Sequence, residues 1–183
     1  MENKTLTILT YNVLFGPADG ELLRANRRSM EILKSLINLD KQNSIDVICF
    51  QEFWDSICED YGVKTLGKFL RLNGLGNYYK KNFLKYLHKI GFKYTVDLGR
   101  QWGKLKGSGL LIVSKYPITE SKHYYFSTMK KEVSNIDSFA SKGILLAKIK
   151  KNDMIFNVIT THYQAWVKNY KQRVLASLAM KNF

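Results

Sequence analysis

Three polar residues stand where β-rich segments run out. Asn12 follows Ile8-Leu9-Thr10-Tyr11, Glu52 follows Ile48-Cys49-Phe50-Gln51, and His162 follows Val158-Ile159-Thr160-Thr161. A carboxylate beside an amide oxygen is a hard-oxygen donor set of the kind Mg²⁺ accepts while keeping several waters. A nearby histidine can donate to a phosphate oxygen as negative charge develops on it. Taken singly, each residue has an ordinary structural use. Asn12 suits a turn or cap, Glu52 a solvated strand end or a helix-cap partner, and His162 a hydrogen-bonded rim position. Convergence is what would make them a site. Central strands that end together place such residues on one rim of a sheet, where ligand crevices form.

The elements that must do this positioning are legible along the chain. Residues 5–12 alternate as a strand, and Gly16, Pro17 and Gly20 then break it. Leu22, Leu23, Met30, Leu33 and Ile37 recur at helical spacing over about 21–39, with Arg24, Arg27 and Arg28 among them. Residues 45–50 form a near-continuous apolar run, which predicts a strand buried on both faces. Residues 53–78 are mixed, with Gly74 and Gly76 as punctuation. A helix is expected over 79–90 with Phe83, Leu84, Leu87 and Ile90 inward, then strands over 92–97 and 109–114 around a turn at 99–103. Tyr116-Pro117 ends the second of these, and His123 belongs to an edge strand. Residues 143–150 and 154–162 read as a hairpin across 151–153, and a last amphipathic helix runs from about 165. No low-complexity linker divides the chain.

Composition narrows the class. With 183 residues, 45% hydrophobic and 13% aromatic, the chain suits one packed domain and not a disordered segment. Its 29 Lys and Arg against 15 Asp and Glu leave +14, which favours a phosphate-bearing or polyanionic partner. Composition bias gives the same number, so charge alone decides little. Cys49 and Cys58 are too few for a disulfide framework or a four-ligand zinc site, and Cys49 reads as a small core residue. With no secretory signal or membrane-length apolar run visible, a cytoplasmic setting is the default expectation.

Several segments resemble a known family. Thr10-Tyr11-Asn12-Val13 and Asp46-Val47-Ile48-Cys49-Phe50-Gln51-Glu52 are similar to the two opening signatures of the endonuclease/exonuclease/phosphatase superfamily. Gly107-Ser108-Gly109-Leu110-Leu111-Ile112-Val113-Ser114-Lys115-Tyr116-Pro117-Ile118 looks like its internal strand-and-turn signature. Phe139-Ala140-Ser141-Lys142-Gly143 and Thr161-His162-Tyr163-Gln164-Ala165 resemble stretches of neutral and bacterial sphingomyelinases. The Lys-Gly stretch lacks the Gly-rich run that cradles nucleotide phosphates, so ATP binding is not implied.

The resemblance implies an α/β fold, a two-sheet β-sandwich flanked by helices, with the second half incomplete. It implies a Mg²⁺-dependent (or other divalent-cation) phosphodiesterase, with Glu52 and Asn12 at the metal and His162 and Glu52 catalytic. Asn12 and Lys142 would contact substrate, although a lone lysine is usually solvated. The expected partner is a phosphodiester, a phospholipid head group before nucleic acid, with peripheral membrane contact. The family's later Asp-x-Asn strand end and the Asp-His pair carrying its general base have no counterpart before Phe183. Residues 1–183 are therefore expected to be the N-terminal portion of a single domain, inactive alone. The alternatives are a nuclease of the same superfamily and a non-catalytic remnant.

Overall fold

In this computed structural model the described residues are 4–15, 22–54, 79–99, 107–126, 141–163 and 170–181. Most of the mixed stretch 53–78 lies outside them, with Cys58, Gly74 and Gly76, as do Phe139, Ala140, Gln164, Ala165, residues 100–103 and the side chains of Arg24 and Arg27. The order is β1 (Ile8–Asn12), α1 (Leu22–Asn43), β2 (Val47–Gln51), α2 (Tyr79–Lys89), β3 (Tyr94–Asp97), β4 (Leu111–Ser114), β5 (Ile118–Tyr125), β6 (Gly143–Lys151), β7 (Met154–Thr161) and α3 (Tyr170–Lys181).

The strands form two sheets, β1-β2-β4-β3 and β5-β6-β7. β1 and β2 run parallel, and all other pairings are antiparallel. Strand alternation explains the apolar run around Cys49. Val47 and Cys49, with Ile112 of β4 beside them, face the second sheet, where they meet Leu145, Ala147, Ile149 and Val158. Ile48 and Phe50 face the other way, into a layer with Leu33 and Leu36 of α1 and Phe83 and Leu87 of α2. β2 is thus buried on both faces, as its composition requires. Rings from Phe15, Phe50, Phe53 and Phe83 fill the helix-side layer, with centroids 5.0–5.9 Å apart for the pairs in contact.

The differences from the sequence reading have local causes. α1 runs to Asn43, a turn beyond the expected end near residue 39. Its last turn lacks apolar periodicity, but Lys115 Nζ reaches Asp40 Oδ1 at 2.7 Å and Ser44 N donates to Asp40 O at 2.8 Å. Met30, placed on the inward stripe by spacing, is 44% exposed, because the buried stripe runs through Ser29, Leu33 and Leu36. The expected hairpin turns at Asn152 (φ 54°), and His123 lies on β5 at the edge of its sheet. β1 and β7 are also sheet edges, and they leave Ile8, Tyr11, Ile155 and Ile159 exposed. No helix among the described residues is long and apolar enough to cross a membrane.

A candidate phosphodiester site on the sandwich rim

Register decides what meets at the rim. In the parallel β1–β2 pair Asn12 lies opposite Gln51, so Glu52 follows one step beyond. In the antiparallel β6–β7 pair Ile144 lies opposite Thr161, which brings His162, just after β7, back beside Lys142, just before β6. The two sheets are joined near this rim by Gln51 Nε2, which donates to Thr160 Oγ1 at 3.0 Å and to Thr10 Oγ1 at 3.1 Å.

All four residues singled out by sequence come together. Asn12 Nδ2 donates to Glu52 Oε1 at 2.9 Å, His162 Nε2 lies 3.3 Å from the same oxygen, and Lys142 Nζ lies 3.3 Å from His162 Nδ1. Asn12 uses its other amide end locally, accepting from Leu14 N at 3.0 Å. Val13 N and Phe15 N continue the β1–β2 pairing by donating to Gln51 O and Glu52 O. Arg28 ties this loop to α1, its guanidinium donating to Val13 O at 2.6 Å. Glu52 itself holds a left-handed backbone (φ 55°). That conformation costs a non-glycine residue about 1–3 kcal/mol and persists only where the surroundings enforce it.

Lys142 departs from the expectation of a solvated lysine. It is only 3% exposed, and its ammonium lies 5.9 Å from the centre of the Trp54 ring. Trp54 is fixed in turn by donating from Nε1 to Gly107 O at 3.0 Å, and its ring lies 6.5 Å from that of His162. Two glycines permit this closeness. A Cβ on Gly109 (φ +68°) would sit 2.7 Å from Trp54 Nε1 and 3.0 Å from the Glu52 Cα, and one on Gly143 would strike the Tyr124 carbonyl oxygen. Sequence reasoning missed Trp54, Arg28 and the cross-sheet role of Gln51. Gln51 directly precedes Glu52 and Trp54 follows it by two positions, and that nearness was the available signal.

A crevice of about 640 Å³ opens between the free edges of β1 and β7, lined by Thr10, Asn12, Gln51, Thr160 and His162 among others. Cys49 also lines it, but burial pushes that thiol up to about 12, so it carries no thiolate chemistry near neutral pH. His88 and His123 are exposed on α2 and β5, on other elements than those of the rim.

No group of three His, Cys, Asp or Glu side chains among the described residues could hold a metal. Glu52 Oε1 is taken by Asn12 and His162, while Oε2 accepts no hydrogen bond among the described residues. One open carboxylate oxygen beside an amide fits Mg²⁺, which is held by one or two carboxylates with waters and substrate phosphates completing its shell.

The profile of the Endonuclease/Exonuclease/phosphatase family matches residues 9–176. A Sphingomyelinase C of Bacillus cereus is 30% identical over 173 residues, covering 90% of this chain and 45% of that protein. The chain therefore spans less than half the length of the curated relatives it matches. Among solved structures, a beta toxin from Staphylococcus aureus superposes with a TM-score of 0.65 at 21% identity, over 98% of this chain and 61% of the toxin. A variant of beta toxin from the same organism, solved with bound magnesium ions, gives 0.62 at 23% identity over 96% and 59% of the two chains. The two-sheet, helix-flanked fold is shared with both.

Proposed function

The chain belongs to the endonuclease/exonuclease/phosphatase family, and on that premise we propose that residues 1–183 are the N-terminal portion of a single-domain, Mg²⁺-dependent phosphodiesterase of the sphingomyelinase type. The observation that carries the reading is the convergence of Asn12, Glu52 and His162 within 3.3 Å contacts on one rim, although they lie as much as 150 positions apart in sequence. Glu52 also holds a left-handed backbone at this rim.

Glu52 would hold the cation through its open oxygen, with Asn12 orienting the carboxylate and lying next to the metal or phosphate. The cation supplies charge stabilisation at the phosphoryl oxygen and the leaving alkoxide. His162 donates to a phosphate oxygen as charge builds there. Hydrolysis also needs a base within hydrogen-bond reach of the attacking water. His162 is committed to the phosphate and neither His88 nor His123 is at the rim, so these residues alone are proposed not to turn substrate over. A phospholipid head group is the preferred substrate, motivated by the segments around Lys142 and His162 and by the 30% identity to Sphingomyelinase C. Nucleic acid is the second reading, favoured by the +14 charge. The relatives include proteins named beta toxin, which lend no support to the expected cytoplasmic setting.

The test begins with calorimetric titration of Mg²⁺ or Mn²⁺ into the pure chain, where binding is expected in the wild type and lost in Glu52→Gln. Retained binding in that variant would remove Glu52 from the metal. Vesicles containing sphingomyelin and a supercoiled plasmid are then offered side by side. Sedimentation with the vesicles without phosphocholine release supports the whole reading. Plasmid nicking without lipid binding favours the nuclease, and phosphocholine release lost on Glu52→Gln shows that the base is present after all.

A further inference from the structure

Lys142 does not line the crevice, and it stands behind His162 with its ammonium buried between that ring and Trp54. From this placement we infer that Lys142 is a positioning residue that decides which nitrogen of His162 carries the proton. An ammonium group has three donors and no acceptor. At 3.3 Å from Lys142 Nζ, His162 Nδ1 must therefore accept. In the neutral ring the single proton then sits on Nε2, which faces Glu52 Oε1 at 3.3 Å. The opposite tautomer fails at both ends. It sets an N–H against the ammonium, and it leaves two acceptors, Nε2 and Oε1, facing each other.

The consequence deepens the phosphodiesterase reading and rests on it for its catalytic meaning. His162 enters the reaction as a donor through Nε2, aimed from the rim at the position where a phosphoryl or leaving oxygen would stand beside Glu52. That nitrogen cannot take a proton from water while it holds one. Lys142 thus acts through His162 and contacts no substrate, which distinguishes it from the role its sequence context suggested.

The tautomer is measured directly, without any assay of turnover. Two-bond ¹H–¹⁵N spectra of the uniformly labelled 183-residue chain are recorded at about pH 8, above the ordinary histidine range near 6.5. His162→Gln assigns the ring by the signal it removes. The expected wild-type result is a protonated Nε2 and a bare Nδ1. Lys142→Met should convert His162 to a mixture or to the Nδ1–H form and leave His88 and His123 unmoved, with the backbone amide map checking the fold. Lys142→Arg, which again can only donate, should restore the wild-type form. A proton on Nδ1 of the wild type, in a singly or doubly protonated ring, overturns the inference whether or not the variants fold. An unchanged tautomer in a folded Lys142→Met does the same. If Nε2–H is found and no divalent cation or lipid binds, the functional reading falls and the positioning role of Lys142 stands.

Discussion

The two ends of β6 each bury a lysine, and they are built to opposite ends. Lys151 closes the far end: Nζ donates to Asp46 Oδ2 at 2.7 Å and to Thr5 O at 2.9 Å, and Asp46 Oδ2 also accepts from Thr7 N. The Tyr116 ring covers it at 5.1 Å. Charge meets charge there, and the pair clamps the N-terminal approach to β1 and β2 onto the second sheet. At the near end Lys142 meets a histidine ring nitrogen instead of a carboxylate, and Glu52 lies one residue further along the chain of contacts. The far end is a direct, buried ion pair between Lys151 and Asp46, the arrangement whose disruption strands a buried charge. The near end sets its lysine against a histidine ring and its carboxylate at the rim, where a ligand can reach it.

The sharpest way to break this comparison is to exchange the expected phenotypes. Glu52→Gln is expected to weaken divalent-cation binding by more than about 100-fold while changing unfolding free energy by less than about 1 kcal/mol. In any form of the chain that turns over, His162→Gln should lower kcat by about 10²–10³-fold. Calorimetry, kinetics and urea melts of the same variants read these effects. A large stability loss in Glu52→Gln would mean that the rim is a structural cluster like the far one.

Lys151→Met should behave in the reverse sense. Removing one partner leaves a buried, uncompensated Asp46, which costs about 3–5 kcal/mol. The double variant Lys151→Met with Asp46→Leu should recover most of that loss, with cation binding at the rim unaffected throughout. Denaturant unfolding of the three variants checks it, and a double variant no more stable than Lys151→Met alone would contradict the ion-pair account.

Gly109→Ala tests how finely the near end is fitted. The added Cβ meets Trp54 and the Glu52 backbone at a positive φ, so about 1–3 kcal/mol of stability should be lost. Trp54 fluorescence should shift and cation binding weaken, whereas the far end should be insensitive to this change.

The smallest effect concerns pH. Burial by itself lowers the Lys151 pKa, but the hydrogen bond and charge of Asp46 outweigh it and hold the group above its ordinary value. A raised folded-state value means the stabilisation is complete below the unfolded lysine's pKa of about 10.4 and is lost as pH climbs through the folded one. Wild-type stability should therefore decline above roughly pH 10.5 more steeply than that of the double variant, in melts taken across that range.

Much of the near end was readable before any coordinates. The polar residues closing β1, β2 and β7 were identifiable because strand periodicity is local, and strands that end together put their terminal residues on one rim. The both-face burial of β2 followed equally from its unbroken apolar run. Only the tertiary structure decided that Lys142 is buried, that Trp54 and Gln51 brace the site, and that Asp40 and Asp46 find Lys115 and Lys151. The Asp40 and Asp46 pairs join residues 75 and 105 positions apart. The first arises from the antiparallel β2–β4 register, which brings Lys115 beside the end of α1, and the second from the packing of one sheet on the other. A lysine's own neighbours in sequence carry no record of that register, so a solvated and a buried lysine look alike until the sheets close.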